Sequence, residues 1–162
     1  MNDGAGWQGG EMFEKQAWMQ RAGEYPQSDE EYFALLARAV FSAGLGPKVV
    51  ESRWKDMGAA FHGFDPARVQ QMDEADVVRL LGDPAMIRNR RKIEAVILNA
   101  QTFSELLAEH DSFHGYVTGL GAGSDLDAAA EELAQTFTHL GRTSALFFLF
   151  SAGWRPQEIA EP

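Results

Sequence analysis

Cysteine is absent from the 162-residue chain, which removes disulfides, thiolate nucleophiles and every cysteine-containing zinc site. The nitrogen ligands that remain, His62, His110, His114 and His139, are scattered. Only His110 and His114 share a helical i+4 spacing, beside Asp111, in a segment that reads as a helix break; a solvated surface and no bound metal are expected there. Long apolar runs are missing too. No stretch approaches the roughly 18 residues of a membrane span, and the N-terminus has glycines and polar residues where a secretory signal needs an apolar core. The chain therefore reads as cytoplasmic. Basic residues are few, 14 Lys and Arg against 24 Asp and Glu, for a net charge of −10. That excludes a broad electrostatic grip on nucleic acid, because phosphate neutralisation supplies most non-specific affinity. Sustained period-two alternation between hairpin turns is also lacking, and the fold class expected is all-α.

What is present suits one domain. A hydrophobic content of 45% can fill a core, either as one lobe or as two tightly apposed ones. Residues 1–10, with four glycines, read as a flexible tail, and residues 11–162 as the helical domain. Ser28 with Glu31 forms a capping-box pattern, after which Phe33, Leu36, Ala37 and Val40 recur at helical spacing and Gly44 offers a stop. Val49, Val50, Trp54 and Met57 trace a second stripe. Asp65-Pro66 and Asp83-Pro84 each read as a cap followed by a first-turn proline. From about Arg91, the residues Ile93, Val96, Ile97, Ala100, Phe103 and Leu107 predict a long amphipathic helix. A loop is expected over Gly119 to Gly123, and an acidic helix around Asp127 to Gln135.

Charge is distributed unevenly. Residues 1–35 hold seven acids against two bases, and residues 104–136 hold seven acids and no Lys or Arg. Between them, Arg88, Arg90, Arg91 and Lys92 fall within seven residues. Four cations at a helix start oppose the macrodipole, so positioning contacts to phosphates compete with a solvated, ion-paired surface as their explanation. Near the end, Phe137 to Leu140, then Gly141-Arg142-Thr143-Ser144, then an apolar run to Phe150, fits a helix, a glycine turn and a buried helix. The N–H groups exposed at such a turn can hold a phosphate with little net charge, though an ordinary αα-hairpin also fits.

The segments Phe61-His62-Gly63-Phe64-Asp65-Pro66-Ala67-Arg68-Val69, Met72 to Val77, Ile87-Arg88-Asn89-Arg90-Arg91-Lys92-Ile93-Glu94-Ala95 and Asn99-Ala100 resemble the bacterial 3-methyladenine DNA glycosylase I family in order, spacing and residue type. Ala43-Gly44-Leu45 is similar to that family's Ala-Gly-Leu turn, and Gly141 to Gly153 to its helix-hairpin-helix. The resemblance implies a helix-hairpin-helix glycosylase fold that binds double-stranded DNA carrying an alkylated base, flips that base into a pocket and hydrolyses its N-glycosidic bond. It implies DNA contact at Arg88, Arg90, Arg91, Lys92, Gly141, Arg142, Thr143 and Ser144, with no redox or group-transfer cofactor. His139 stands where many such hairpins carry glycine. The family's structural zinc, held by two cysteines and two histidines, lacks its thiolates here. The base-reading glutamate falls on Ala39, one pocket aromatic on Pro47 and another on Trp18, leaving the catalytic residue unassigned. Glu51 and Asp56 are candidates to replace the carboxylate; Phe41, Trp54 and Phe148 read chiefly as core, and His62 as a loop anchor. Two readings stay open: an active glycosylase of base-excision repair, and a catalytically degenerate module that binds DNA damage or another protein. The oligomeric state is open as well.

Overall fold

The computed structural model describes residues 18–156, and the expected tail over 1–10 lies outside them, as do residues 11–17 and 157–162. Among the described residues there are helices and turns and no strand. In chain order they are α1 (Asp29–Ser42), α2 (Pro47–Ala60), a 3-10 turn (His62–Phe64), α3 (Pro66–Val69), α4 (Glu74–Leu81), α5 (Arg90–Glu109), α6 (Phe113–Gly119), α7 (Leu126–Thr136) and α8 (Arg142–Ser151). The all-α expectation holds.

Local chemistry accounts for most boundaries. Ser28 Oγ accepts the Glu31 N–H at 3.1 Å and starts α1, while the Glu31 carboxylate reaches one residue further back than a capping box requires, to Gln27 N–H at 2.8 Å. Gly44, with φ +80°, closes α1 in the left-handed region as expected. Asp65 caps α3 by accepting the Ala67 N–H, with Pro66 in the first turn. Asp83-Pro84 departs from expectation: it starts no helix. Asp83 Oδ1 accepts the Ala85 N–H in an Asx turn, the chain folds buried Met86 into the core, and α5 waits for Asn89, whose side chain accepts the Lys92 N–H at 3.1 Å.

α1 is the hub. Phe33, Leu36, Ala37 and Val40 are buried on it, and α2, α5, α6, α8 and the 3-10 turn all pack against it. α7 and α8 form the expected helical pair, but the tight turn is not at Gly141, whose φ is −74°; His139 adopts the left-handed conformation, with φ +57°. Asn99 of α5 holds this connection in place by donating to Thr138 O and accepting from Thr138 N–H, at 3.0 and 2.8 Å.

Tertiary hydrogen bonds tie the first and last described segments to each other and to α1. The backbone at Gln20 and Gly23 donates to Ser151 O and Gly153 O at 3.0 and 2.8 Å, pinning the N-terminal segment beside the end of α8. Within that seam Trp154 Nε1 donates to Tyr32 Oη at 3.3 Å. Having accepted there, the Tyr32 hydroxyl is free to donate to His114 Nδ1 at 2.6 Å, which draws α6, α1 and the C-terminal segment together. His114, half-buried and stacked on Trp154, is thus not the solvated residue expected from the sequence.

Two outcomes follow from this seam. A Cβ at Gly153 would lie 2.6 Å from Glu24 O and 2.9 Å from Arg21 O, at φ +97°, so Gly153→Ala should cost more than about 1 kcal/mol in urea denaturation and loosen the segment carrying Trp18. Burial pushes the Tyr32 hydroxyl up from 10.0 to about 12. Between those values the unfolded chain has lost a proton that the folded chain keeps, so stability falls as pH rises through the window. Tyr32→Phe should lose less stability across that window than the wild type when urea midpoints are compared.

Candidate functional site: an aromatic cleft around Arg38

A cleft of about 260 Å³ opens between the N-terminal segment, α1 and α2, lined by Trp18, Gln20, Glu31, Ala34, Leu35, Arg38 and Trp54. Its α1 residues fall at helical spacing, so one stripe of α1 faces the core while the next forms the cleft wall. Trp18 is positioned by the seam at Gly153, and its ring meets Phe147 edge-on with centroids 5.8 Å apart. Trp54 is held by Phe64, stacked at 4.7 Å and 14°.

Arg38 is the residue that sequence reasoning missed. It is 2% exposed, within the otherwise apolar run Phe33 to Phe41 of α1. Its guanidinium carbon sits 3.8 Å from the Trp18 ring centroid and 5.0 Å from that of Trp54. Both tryptophans therefore contribute cation–π attraction. Its edge is another matter: Nε and Nη2 are buried with no hydrogen-bond partner, as is Trp18 Nε1. Desolvated cation–π contacts are worth roughly 2 kcal/mol each, and an unpaired buried donor costs about 1–3 kcal/mol, more on a charged group. The two effects are of similar size, so the tryptophans do not relieve the edge of its need for an acceptor. Burial lowers the Arg38 pKa to about 10, with Glu51 opposing the shift, and the group stays cationic at neutral pH. The sequence does carry a signal for it: a lone arginine between Ala37 and Ala39 in an apolar stripe.

The other expected base-contacting residues fall differently. Ala39 is 1% exposed, buried in the core beside the cleft rather than lining it, and offers no polar group. Pro47 occupies the first turn of α2. Glu51 and Asp56 are exposed on α2 and line no part of the cleft; the carboxylate at the cleft is that of Glu31.

The basic patch is smaller than its sequence. Lys92 is a correction: it is 7% exposed, and its ammonium donates to Phe41 O at 3.0 Å and to Ala43 O at 2.5 Å. It satisfies carbonyls at the end of α1, where a cation also complements the helix dipole, and is unavailable to phosphates. Arg90 is exposed but pairs with Glu74 at 3.0 Å and Glu94 at 2.9 Å. Arg88 and Arg91 remain as exposed cations. At the hairpin, Gly141 caps α8 without any side-chain hydrogen bond, so the first N–H groups of that helix have no side-chain acceptor at the cap, while Arg142 pairs with Asp127 and Glu131 at 3.1 and 3.6 Å. Thr143 is exposed and Ser144 half-buried beside it.

Among the described residues no three His, Asp or Glu side chains converge as metal ligands. His114 Nδ1 is engaged by Tyr32 and the His110 ring packs edge-on against Tyr116. With no thiolate in the chain, the donor set does not fit the zinc site that the family resemblance implies.

Comparison with known proteins agrees with this architecture. The Methyladenine glycosylase family pattern matches residues 12–147. The chain is 34% identical over 93 residues to DNA-3-methyladenine glycosylase 1 of Escherichia coli strain K12, an alignment covering 57% of this chain and 50% of the relative. It is 28% identical over 75 residues to a DNA-3-methyladenine glycosylase of Haemophilus influenzae, covering 46% and 40%. The aligned segments thus span half or less of these curated relatives. Among solved structures, a point variant of 3-methyladenine DNA glycosylase I in complex with 3-methyladenine superposes with a TM-score of 0.75 at 27% identity, over 87% of this chain and 83% of that one. The Staphylococcus aureus 3-methyladenine DNA glycosylase I gives 0.74 at 26% identity, over 84% and 82%.

The corrected patch changes what mutagenesis should show. Replacing Arg88 and Arg91 with alanine should flatten the log–log salt dependence of DNA binding by about 0.9 for each phosphate no longer neutralised. Lys92→Met should leave that slope unchanged and instead lower stability by about 1–3 kcal/mol, because carbonyls at the end of α1 lose their donor. A Lys92→Met slope change equal to that of the double variant would return Lys92 to the DNA interface.

Proposed function

The chain belongs to the methyladenine glycosylase family, and from that premise we propose that it is a base-excision repair N-glycosylase of the 3-methyladenine DNA glycosylase I type. It binds double-stranded DNA, draws a damaged base out of the stack and hydrolyses the bond between that base and its sugar. The observation that carries this reading is the cleft walled by Trp18 and Trp54, small enough to select one planar heterocycle. The uncapped start of α8 supplies backbone donors to a phosphate, and Arg88 and Arg91 supply local positive charge, which suits an acidic protein that holds DNA at few points. A DNA substrate fits a cytoplasmic protein, and no described helix is long and apolar enough to cross a membrane.

In this reading the fold is zinc-free. The Tyr32–His114–Trp154 contacts and the backbone seam at Gly153 supply ties between the first and last described segments that need no metal ligand. Metal analysis of purified protein should find zinc well below one equivalent, and a chelator should leave the urea midpoint unchanged; stoichiometric zinc would overturn the proposal.

The second reading, a binding module without chemistry, is favoured by Ala39, which puts a methyl group where the family resemblance places a base-reading carboxylate. Base release decides between the two. Duplexes carrying alkylated or other damaged purines should yield free base and abasic sites when incubated with the protein. Tight binding to an abasic-site analogue with no base released from any duplex would establish the module instead.

A further inference from the structure

We infer that Glu31 is the specificity-determining residue of the cleft, the anion that recognises the positive charge and the exocyclic amino group of an N3-methylated adenine drawn out of DNA. This rests on the glycosylase reading for its chemistry, while the charge recognition is measured separately. The tryptophan walls do not supply it alone. Trp18 and Trp54 attract cations, but the Arg38 guanidinium already occupies both, at 3.8 and 5.0 Å. A cationic base entering the same cleft meets the repulsion of that guanidinium, and an opposing charge in the wall is needed to offset it. Among the residues lining the cleft, Glu31 alone is acidic.

Other duties leave Glu31 available. Its Oε1 accepts the Gln27 N–H at 2.8 Å, which fixes the carboxylate at the start of α1, and its second oxygen has no partner among the described residues. Nor is it the counter-ion of Arg38: burial lowers the Arg38 pKa to about 10, and the acid that opposes the shift is Glu51, which lies outside the cleft. Glu31 and Arg38 stand two helical turns apart on one stripe of α1, a rise of about 10 Å at 1.5 Å per residue. The cleft is therefore polarised, negative toward the start of α1 and positive toward its middle. A flipped cation lies with its amino-bearing, charged ring toward Glu31, where the amino group donates to the free carboxylate oxygen.

The chemistry decides which kinetic constant depends on this contact. When the C1′–N9 bond breaks, its electron pair stays with the purine and cancels the positive charge, water oxygen bonds to C1′, and a water proton passes to solvent. Attraction to Glu31 is thus greatest before the bond breaks. It favours binding rather than turnover, so its loss raises KM without lowering kcat.

The test is release of 3-methyladenine from methylated duplex DNA by the full-length protein. Glu31→Gln keeps an oxygen for the Gln27 N–H, so its urea midpoint should match that of the wild type, but it puts an amide donor where the free carboxylate oxygen was. KM should rise at least about tenfold, the scale of a lost charged hydrogen bond, with kcat unchanged. Glu30→Gln removes the same charge from the exposed neighbouring position and should leave KM as it is. An unchanged KM in Glu31→Gln, an equal rise in Glu30→Gln, or a fall in kcat alone overturns the inference and leaves the glycosylase standing. If the wild type releases no base, equilibrium binding to methylated and unmethylated duplexes decides. A preference for the methylated duplex that Glu31→Gln abolishes sinks the glycosylase and keeps Glu31 as the recognising anion, whereas the absence of any preference sinks both.

Discussion

A guanidinium held almost wholly out of water in the middle of α1 constrains everything built around it. An arginine there is tolerated only if its charge is answered, since an ion moved into a protein interior without compensation is far more costly than a neutral polar group. The answer at Arg38 is aromatic: Trp18 and Trp54 approach it, and each needs its own support. Trp54 gains that from Phe64, at the end of the 3-10 turn that follows α2. Trp18 gains it from a segment hydrogen-bonded to the end of α8. A site residue on one helix thus depends on the opposite end of the chain.

Dependence of this kind explains why Gly153 matters although it touches no ligand. The backbone of residues 21–24 passes close to it, and only a residue without a side chain allows the approach. The Tyr32–His114 hydrogen bond fastens the same seam from the α6 side. Hydrogen bonds and stacked rings around Tyr32, His114 and Trp154 hold this seam. Such a network is directional and does not tolerate the removal of a partner, which makes the seam sensitive to single substitutions in a way that a larger apolar interface is not.

Much of this architecture is legible in the sequence because it follows from local chemistry. Ser28, Asp65-Pro66 and Gly44 act through neighbours within four residues, so their roles can be read without knowing the fold, and the apolar spacing of α1 and α5 marks their buried faces directly. Asp83-Pro84 misleads because the same Asp-Pro pair suits both a helix start and an Asx turn; burial of Met86 in the tertiary structure decides between them. Lys92 misleads for a related reason. Its neighbours in sequence are cations, but its neighbours in space are carbonyls of α1, roughly fifty residues away. Arg38 is passed over because the resemblance directs attention to Ala39, one residue further round the helix; the lone charge in an apolar stripe marks Arg38, but what it faces is set by Trp18 and Trp54, which are distant in sequence.

That one-residue displacement has a physical consequence for the packing of α1. Adjacent positions on a helix project about 100° apart, so Ala39 turns into the core while Arg38 meets the tryptophans. The helix thus presents to the tryptophans a guanidinium whose Nε and Nη2 have no acceptor, while the position to which the family resemblance assigns a carboxylate adds only a methyl group to the core.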